Sequence, residues 1–358
     1  MTQKNTKPAD APVSRKKQIL FIFLFLVIAA LSIWAVSSQS KDFSISHFGA
    51  YIQHANKPWL IAAIAGMLGF IIFEGLAIQV LCRAFGYRTT FRQGFIYSAS
   101  DIYFSAITPS ASGGQPASAY FMMKNGIDGM MTTVVLLVNL VMYTSALVVI
   151  SLLCFLLRFD LFLQYSLLSK VLILAGCVIM LGLLLFFYLL LKKDNLLQKL
   201  CLGCLRLLCF LHILRHREEK EEKLIAYMDR YRHYSKLISG HRKTLFFCFI
   251  FNLFQRTSQI AVTMFVYAAT TGKTFLESID LWFLQAYAVL GSNFMPIPGG
   301  IGISDGLMID GFQNRMSISD ASYLDLLSRS FSFYSCVLIC GIAMVVQYCA
   351  NKRRAKHV

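Results

Sequence analysis

The sequence predicts an all-α integral membrane protein with about six full transmembrane helices and two re-entrant helical hairpins in an inverted repeat. Three observations lead there. The 358-residue chain is 57% hydrophobic and only 15% charged, with a mean hydropathy of +0.60, far more apolar than a soluble domain of that length. Its basic residues cluster between the apolar runs. Two segments, Thr108-Pro-Ser-Ala-Ser-Gly-Gly-Gln-Pro-Ala-Ser118 and Met295-Pro-Ile-Pro-Gly-Gly-Ile-Gly-Ile-Ser304, repeat one unusual pattern after apolar stretches.

A helical span needs roughly 20 apolar residues, and the windows 19–36, 59–81, 130–157, 167–191, 245–269 and 323–350 meet that. The first follows a basic stretch, as a signal peptide would. Its apolar run is longer than a signal core and no small-x-small cleavage site follows, so it reads as a retained helix. The resulting organisation is a basic cytoplasmic tail (1–18), a first transmembrane half (19–191) and a basic cytoplasmic helical linker (192–243). A second transmembrane half (244–350) and a basic cytoplasmic tail (351–358) complete it.

The net charge of +16 is not a nucleic-acid signature, because its location tracks the spans. Lys4, Lys7, Arg15, Lys16 and Lys17 precede the first span, and Arg83, Arg88 and Arg92 follow the second. The linker is strongly basic, and Lys352, Arg353, Arg354 and Lys356 end the chain. The positive-inside rule puts all of these, and both termini, in the cytoplasm. Parity then constrains the two broken segments. Arg92 and the start of the 130–157 span are both inside, so 93–125, too short for two spans, must be a hairpin entering from the cytoplasm. The 245–269 span runs outward and the last span inward, so 277–314 is a hairpin entering from outside. Breaks of this kind in corresponding halves point to a transporter's binding site near the bilayer midplane.

Proline removes a backbone donor and paired glycines leave peptide groups uncovered, so neither tip can face lipid. The amides of Ser112, Gly113, Gly114 and Gln115, or of Gly299, Gly300 and Ile301, could form a concave donor cluster for a headgroup phosphate, with side-chain donors from Thr108, Ser110, Ser112 and Gln115. The competing reading is that the glycines only allow tight packing and the serines bond locally.

Ionisable residues within the spans add detail. Asn252, Gln255, Arg256 and Gln259 fall on one helix face, which cannot face lipid. Arg256 is the candidate phosphate ligand, since a guanidinium forks two bonds to one anion; an ion pair with Glu74 or Asp101 is the alternative. Glu74, in the second span, and Asp101, in the first hairpin, could accept an ammonium group or couple transport to protons, with Asp305 the matching acid past the second tip. Asp325 and Arg329, one turn apart, read as a local ion pair near the membrane surface.

The ten cysteines lie mostly in apolar spans, where they behave as small hydrophobes. Cys201-Leu-Gly-Cys204 with Cys209, His212 and His216 has a faint zinc pattern, but 196–214 reads better as a basic amphipathic surface helix. No Walker or Rossmann glycine motif, Gly-x-Ser-x-Gly elbow or His-Glu-x-x-His sequence occurs, so neither a cofactor nor a metal is expected.

Thr108-Pro-Ser-Ala-Ser-Gly-Gly-Gln-Pro, Tyr120, Lys124-Asn-Gly-Ile127, Pro296-Ile-Pro-Gly-Gly-Ile-Gly and Asp305-Gly306 together resemble the membrane domain of bacterial lysylphosphatidylglycerol synthases and their stand-alone flippase-like relatives. The resemblance implies a lipid-handling membrane protein without the soluble acyltransferase-like domain that performs lysyl transfer. The expected function is therefore binding or translocation of phosphatidylglycerol or its lysyl derivative. Lysyltransfer, as the family name implies, and service as a scaffold for a separate lipid-modifying enzyme are the alternatives.

Overall fold

The computed structural model describes residues 53, 55–108, 112–192, 198–199, 202–203, 205–206, 221–222, 225, 240–295, 300 and 302–356. The expected first span, most of the linker with its Cys-x-x-Cys sequence, and the N-terminal tail lie outside the described residues. All regular secondary structure among the described residues is helical. The helices are α1 (Lys57–Ala84), α2 (Phe91–Ile107), α3 (Gly114–Lys124), α4 (Gly129–Leu157), α5 (Phe159–Leu163), α6 (Leu167–Lys192) and α7 (Arg242–Thr271). They continue with α8 (Phe275–Ser292), α9 (Ile303–Phe312), α10 (Ile318–Arg329), a π turn (Ser330–Tyr334) and α11 (Ser335–Lys356).

Among the described residues, five helical segments are long and apolar enough to cross a membrane: α1, α4, α6, α7, and the continuous run Ile318–Tyr348 through the π turn. They coincide with five of the six expected spans, and the boundaries move for identifiable reasons. Asp128 accepts hydrogen bonds from Met130 N and Met131 N (3.0 and 3.4 Å) and so starts α4. Ser317 accepts from Asp320 N (3.1 Å) and starts the last span before the expected residue 323. Each expected hairpin is a helix–break–helix pair, and each begins two residues earlier than anticipated. Thr90 with Gln93 forms a capping box ahead of α2, and Thr274 with Glu277 forms one ahead of α8.

The largest helix pairing is α1 against α7. Asn56 N donates to Ala269 O (2.7 Å), Trp59 stacks on Phe265 (6.0 Å), and Phe73 meets Phe254 (5.4 Å). Phe85 meets His241 (6.2 Å) at the far end. Rising numbers on one helix face falling numbers on the other, so the pair is antiparallel over its whole length. Small residues allow the approach: a Cβ on Gly66 or Gly69 would sit 3.0 Å from Ser258 O or Ser258 Oγ. A similar contact joins α1 to α2, where a Cβ on Gly94 would lie 2.7 Å from Gly75 O.

The two helix pairs open toward opposite ends of the bundle. Thr90 and Asn125, the two ends of the α2–α3 pair, line one cleft with Arg92, Gln93, Ile96, Gln347 and Ala350. That is the end where Phe85 meets His241. The α8–α9 pair begins and ends where Asn56 meets Ala269. There Asp280 of α8 pairs with Arg158 and with Arg315 (2.6 Å), and Asn314 Nδ2 donates to Gln164 O (3.2 Å). The inner tip of this second pair reaches mid-bundle. Asn293 accepts from Tyr143 OH (3.5 Å), near the centre of α4, and donates to Met180 Sδ (3.7 Å), near the centre of α6.

Because α1 and α2 touch backbone to backbone, Gly94→Ala is expected to force them apart and destabilise the fold by about 1–3 kcal/mol, the usual range for overpacking. Gly182→Ala, with nothing within 4 Å of the added carbon, is the matched control. Thermal unfolding of both variants in detergent checks this; equal midpoints would show that the contact is not limiting.

Candidate functional site

The polar face of α7 turns inward because its glycine-mediated pairing with α1 leaves it no other direction. Asn252, fully buried, donates from Nδ2 to Asn139 Oδ1 of α4 (3.0 Å). Gln255 donates from Nε2 to Glu74 Oε2 of α1 (3.1 Å). Arg256, one residue on, extends toward α4: its guanidinium lies 4.2 Å from the centre of the Tyr143 ring and 5.5 Å from that of Phe70. Its NH1 donates to Gln259 Oε1 (2.5 Å), while its Nε has no hydrogen-bond partner. Among the described residues no carboxylate lies within 4.0 Å of this cation, so the direct pairing with Glu74 or Asp101 considered from sequence is not formed. Arg256 is only partly buried, and Tyr143 connects it to Asn293 at the tip of the second helix pair.

Glu74 and Asp101 instead lie near each other: Glu74 bonds Ser98, one helical turn before Asp101 on α2, and the two acids are within electrostatic reach. Glu74 Oε2 accepts from Ser98 Oγ (3.1 Å), and Asp101 accepts from Ser105 Oγ (3.1 Å) and from Gln115 Nε2 (2.9 Å). Gln115 therefore ties the returning helix α3 to α2. The first tip closes on itself nearby. Thr108, extended because a proline follows, accepts from Gly113 N (2.9 Å) and donates to Phe104 O (2.6 Å). A Cβ on Gly114 would collide with the Asp101 carboxylate and Ser105 Oγ, so this glycine has a packing role. Ser112 is described at the turn, whereas Ser110 and Gly299 lie outside the described residues.

A second buried cluster holds the other tip. Gly300 and Gly302 have φ of +63° and +83°, conformations that glycine adopts without strain. Gly302 N donates to Asp305 Oδ2 (2.7 Å) at the start of α9. Asp305 pairs with Arg329 of α10, which also lies 3.9 Å from Asp325. All three are buried, which corrects the surface ion pair expected for Asp325 and Arg329: α10 is packed inside the bundle, and its partner across the chain, Asp305, could not be inferred from helical spacing.

Sequence reasoning therefore anticipated Glu74, Asp101, Gln115, Arg256 and Gln259, which the fold gathers around α1, α2 and α7. It missed Asn139, Tyr143, Ser98 and Asn293, of which Asn139 was detectable as an amide within an otherwise apolar span. It also missed the capping boxes Thr90-Phe-Arg-Gln93 and Thr274-Phe-Leu-Glu277, a third element of the repeat.

An all-helical bundle with several membrane-length helices, charged side chains buried at its centre and broken helix pairs defines a multi-pass membrane protein. The chain belongs to the lysylphosphatidylglycerol synthase TM region family, whose model matches residues 21–340, and this relates it to membrane lipid metabolism. No curated protein matched the chain.

Removing Arg329 would leave Asp305 and Asp325 facing each other in the interior. Arg329→Leu is therefore expected to destabilise the protein by about 3–5 kcal/mol, as for broken buried ion pairs, with partial recovery when Asp325→Asn is added. Unfolding midpoints of the single and double variants check this, and a wild-type midpoint for Arg329→Leu would exclude a structural role for the pair.

Proposed function

We propose that the protein binds the headgroup of an anionic phospholipid, phosphatidylglycerol or its lysyl derivative, at Arg256 and carries it across the bacterial inner membrane. The observation that carries this reading is the guanidinium itself, near the middle of α7, with a free Nε and no carboxylate within 4.0 Å among the described residues. A charge at the centre of a bilayer costs roughly 2.5–3.5 kcal/mol on insertion scales. Stacking on Tyr143 returns about 0.5–2 kcal/mol and the Gln259 hydrogen bond about 1.5–3 kcal/mol, which together meet much of that cost but leave Nε unsatisfied. A phosphate, accepting two guanidinium hydrogen bonds, would satisfy the remaining donors and the charge together.

In this reading the α2–α3 and α8–α9 pairs are re-entrant hairpins of opposite sense, entering from the cytoplasm and from outside respectively. Their opposite openings support it, as does the clustering of Arg83, Arg92, Arg242 and Lys243 at the end where the first pair opens. The 192–243 segment then joins the two halves in the cytoplasm, where both termini also lie. Tyr143, Asn293 and Gln259 line the route past Arg256, and the second tip, with Gly300 and Asp305, stands beside it as a fixed wall.

Purified protein in vesicles containing fluorescent phosphatidylglycerol, or its lysyl derivative, provides the test. Wild-type protein is expected to speed the exposure of inner-leaflet lipid to an external quencher. Arg256→Ala should slow it about tenfold or more, equivalent to one lost charge-assisted hydrogen bond, without lowering protein yield. Unchanged movement in Arg256→Ala would remove this residue from the path. No movement by the wild type would favour a scaffold that presents lipid to a separate lipid-modifying enzyme, and synthesis of lysyl-lipid by the isolated chain would favour the lysyltransferase.

A further inference from the structure

The Glu74–Asp101 pair takes no part in holding an anion, yet it lies at the junction of α1 with both arms of the first helix pair. Glu74 is 6% exposed and Asp101 8%. Every hydrogen bond to their carboxyl oxygens among the described residues comes from a neutral donor: Ser98, Gln255, Ser105 and Gln115. Arg256 of α7 is the charged group in electrostatic reach, with the thiols of Cys336 and Cys340 from α11; α3 contributes the neutral Gln115. Two carboxylates about 4 Å apart repel by roughly 4 kcal/mol even at an effective dielectric of 20. That exceeds what one or two neutral hydrogen bonds return, at about 0.5–1.5 kcal/mol each. Neighbouring carboxyl groups of this kind favour sharing a proton.

Gln255 makes an independent case. It is 2% exposed, its Nε2 is directed at Glu74, and its Oε1 has no partner. A buried, unpartnered amide oxygen on the side chain that bonds Glu74 is an acceptor awaiting a proton-bearing group. The surroundings also differ in stiffness. The second helix pair is pinned by Asp280 to Arg158 and Arg315, and by Asp305 to Arg329. The first packs on α1 through the Gly75–Gly94 backbone contact and is bonded to it by Ser98, which donates to Glu74 and to Ile71 O (2.8 Å), without an ion pair among the described residues, and α3 buries only Gly114, Ser118 and Met122.

We propose that Glu74 and Asp101 form a proton-binding site that joins the first helix pair to α1, and that exchange of its proton couples lipid movement to the transmembrane proton gradient. The coupling half rests on the translocator reading; the site itself does not. Loss of the proton leaves two like charges between α1 and α2 and loosens the first helix pair, while its return draws them together. Nothing but a proton is transferred, taken from water on one side and released to water on the other.

Infrared difference spectra of the purified protein, recorded between acidic and alkaline buffer without added lipid, test the site. A protonated-carboxyl band should titrate in the wild type and be lost or shifted in both Glu74→Gln and Asp101→Asn, each checked for a monodisperse elution profile. Absence of such a band in the wild type, or its persistence unchanged in both variants, would overturn the proposal. In potassium-buffered vesicles, an imposed pH gradient should change the rate of fluorescent phosphatidylglycerol movement several-fold, and replacing potassium by sodium should not. Movement indifferent to the gradient would overturn the coupling. A titrating band in a protein that moves no lipid would retain the proton site and overturn the translocator reading instead.

Discussion

The antiparallel contact of α1 with α7 is the constraint on which the rest depends. Glycines at Gly66 and Gly69 bring α1 against Ser258, and that distance decides where every polar group on α7 must point. With the seam closed, Asn252 meets Asn139, Gln255 meets Glu74, and Arg256 is left over Tyr143 with no carboxylate within 4.0 Å among the described residues. A looser seam would let solvent or lipid reach the stripe, and neither environment would order four long polar side chains so completely. In lipid no apolar driving force holds helices together, so small residues and interhelical hydrogen bonds serve instead.

The two broken helix pairs are built alike and held differently. Both begin with a threonine capping box and both contain glycines that admit close contacts or left-handed backbone. Around the second pair the pairing is ionic: one aspartate lies between two arginines at its open end, and one arginine between two aspartates at its inner end. Around the first the partners are neutral amides and hydroxyls on a pair of acids. Carboxylates held in ion pairs keep their charge over a wider range of pH than carboxyl groups whose hydrogen-bond partners are neutral.

Much of this was readable beforehand. Helix positions followed from apolar length, and the helix breaks from Pro109 and the glycines that follow it. The inward direction of Asn252, Gln255, Arg256 and Gln259 followed from helical spacing. Boundaries shifted where a capping threonine lay outside the apolar run, because capping is set by hydrogen bonds and not by hydropathy. The surface assignment of Asp325 and Arg329 failed for a related reason: spacing along a helix reports neighbours on that helix and says nothing of Asp305 arriving from another.

By itself, then, the sequence determined the class of the protein, the helices and where they break, because these depend on local composition and on residues close along the chain. Only the tertiary structure decided which charges are neutralised and which are not. Glu74 and Arg256 are both ionisable side chains in apolar spans; the fold sets Glu74 beside a second acid and Arg256 over an aromatic ring, with the two in electrostatic reach but not directly paired. That difference arises from side chains far apart in the chain that meet where α1, α2, α4 and α7 cross, and the energy of a buried charge is set by what stands within a few ångströms of it.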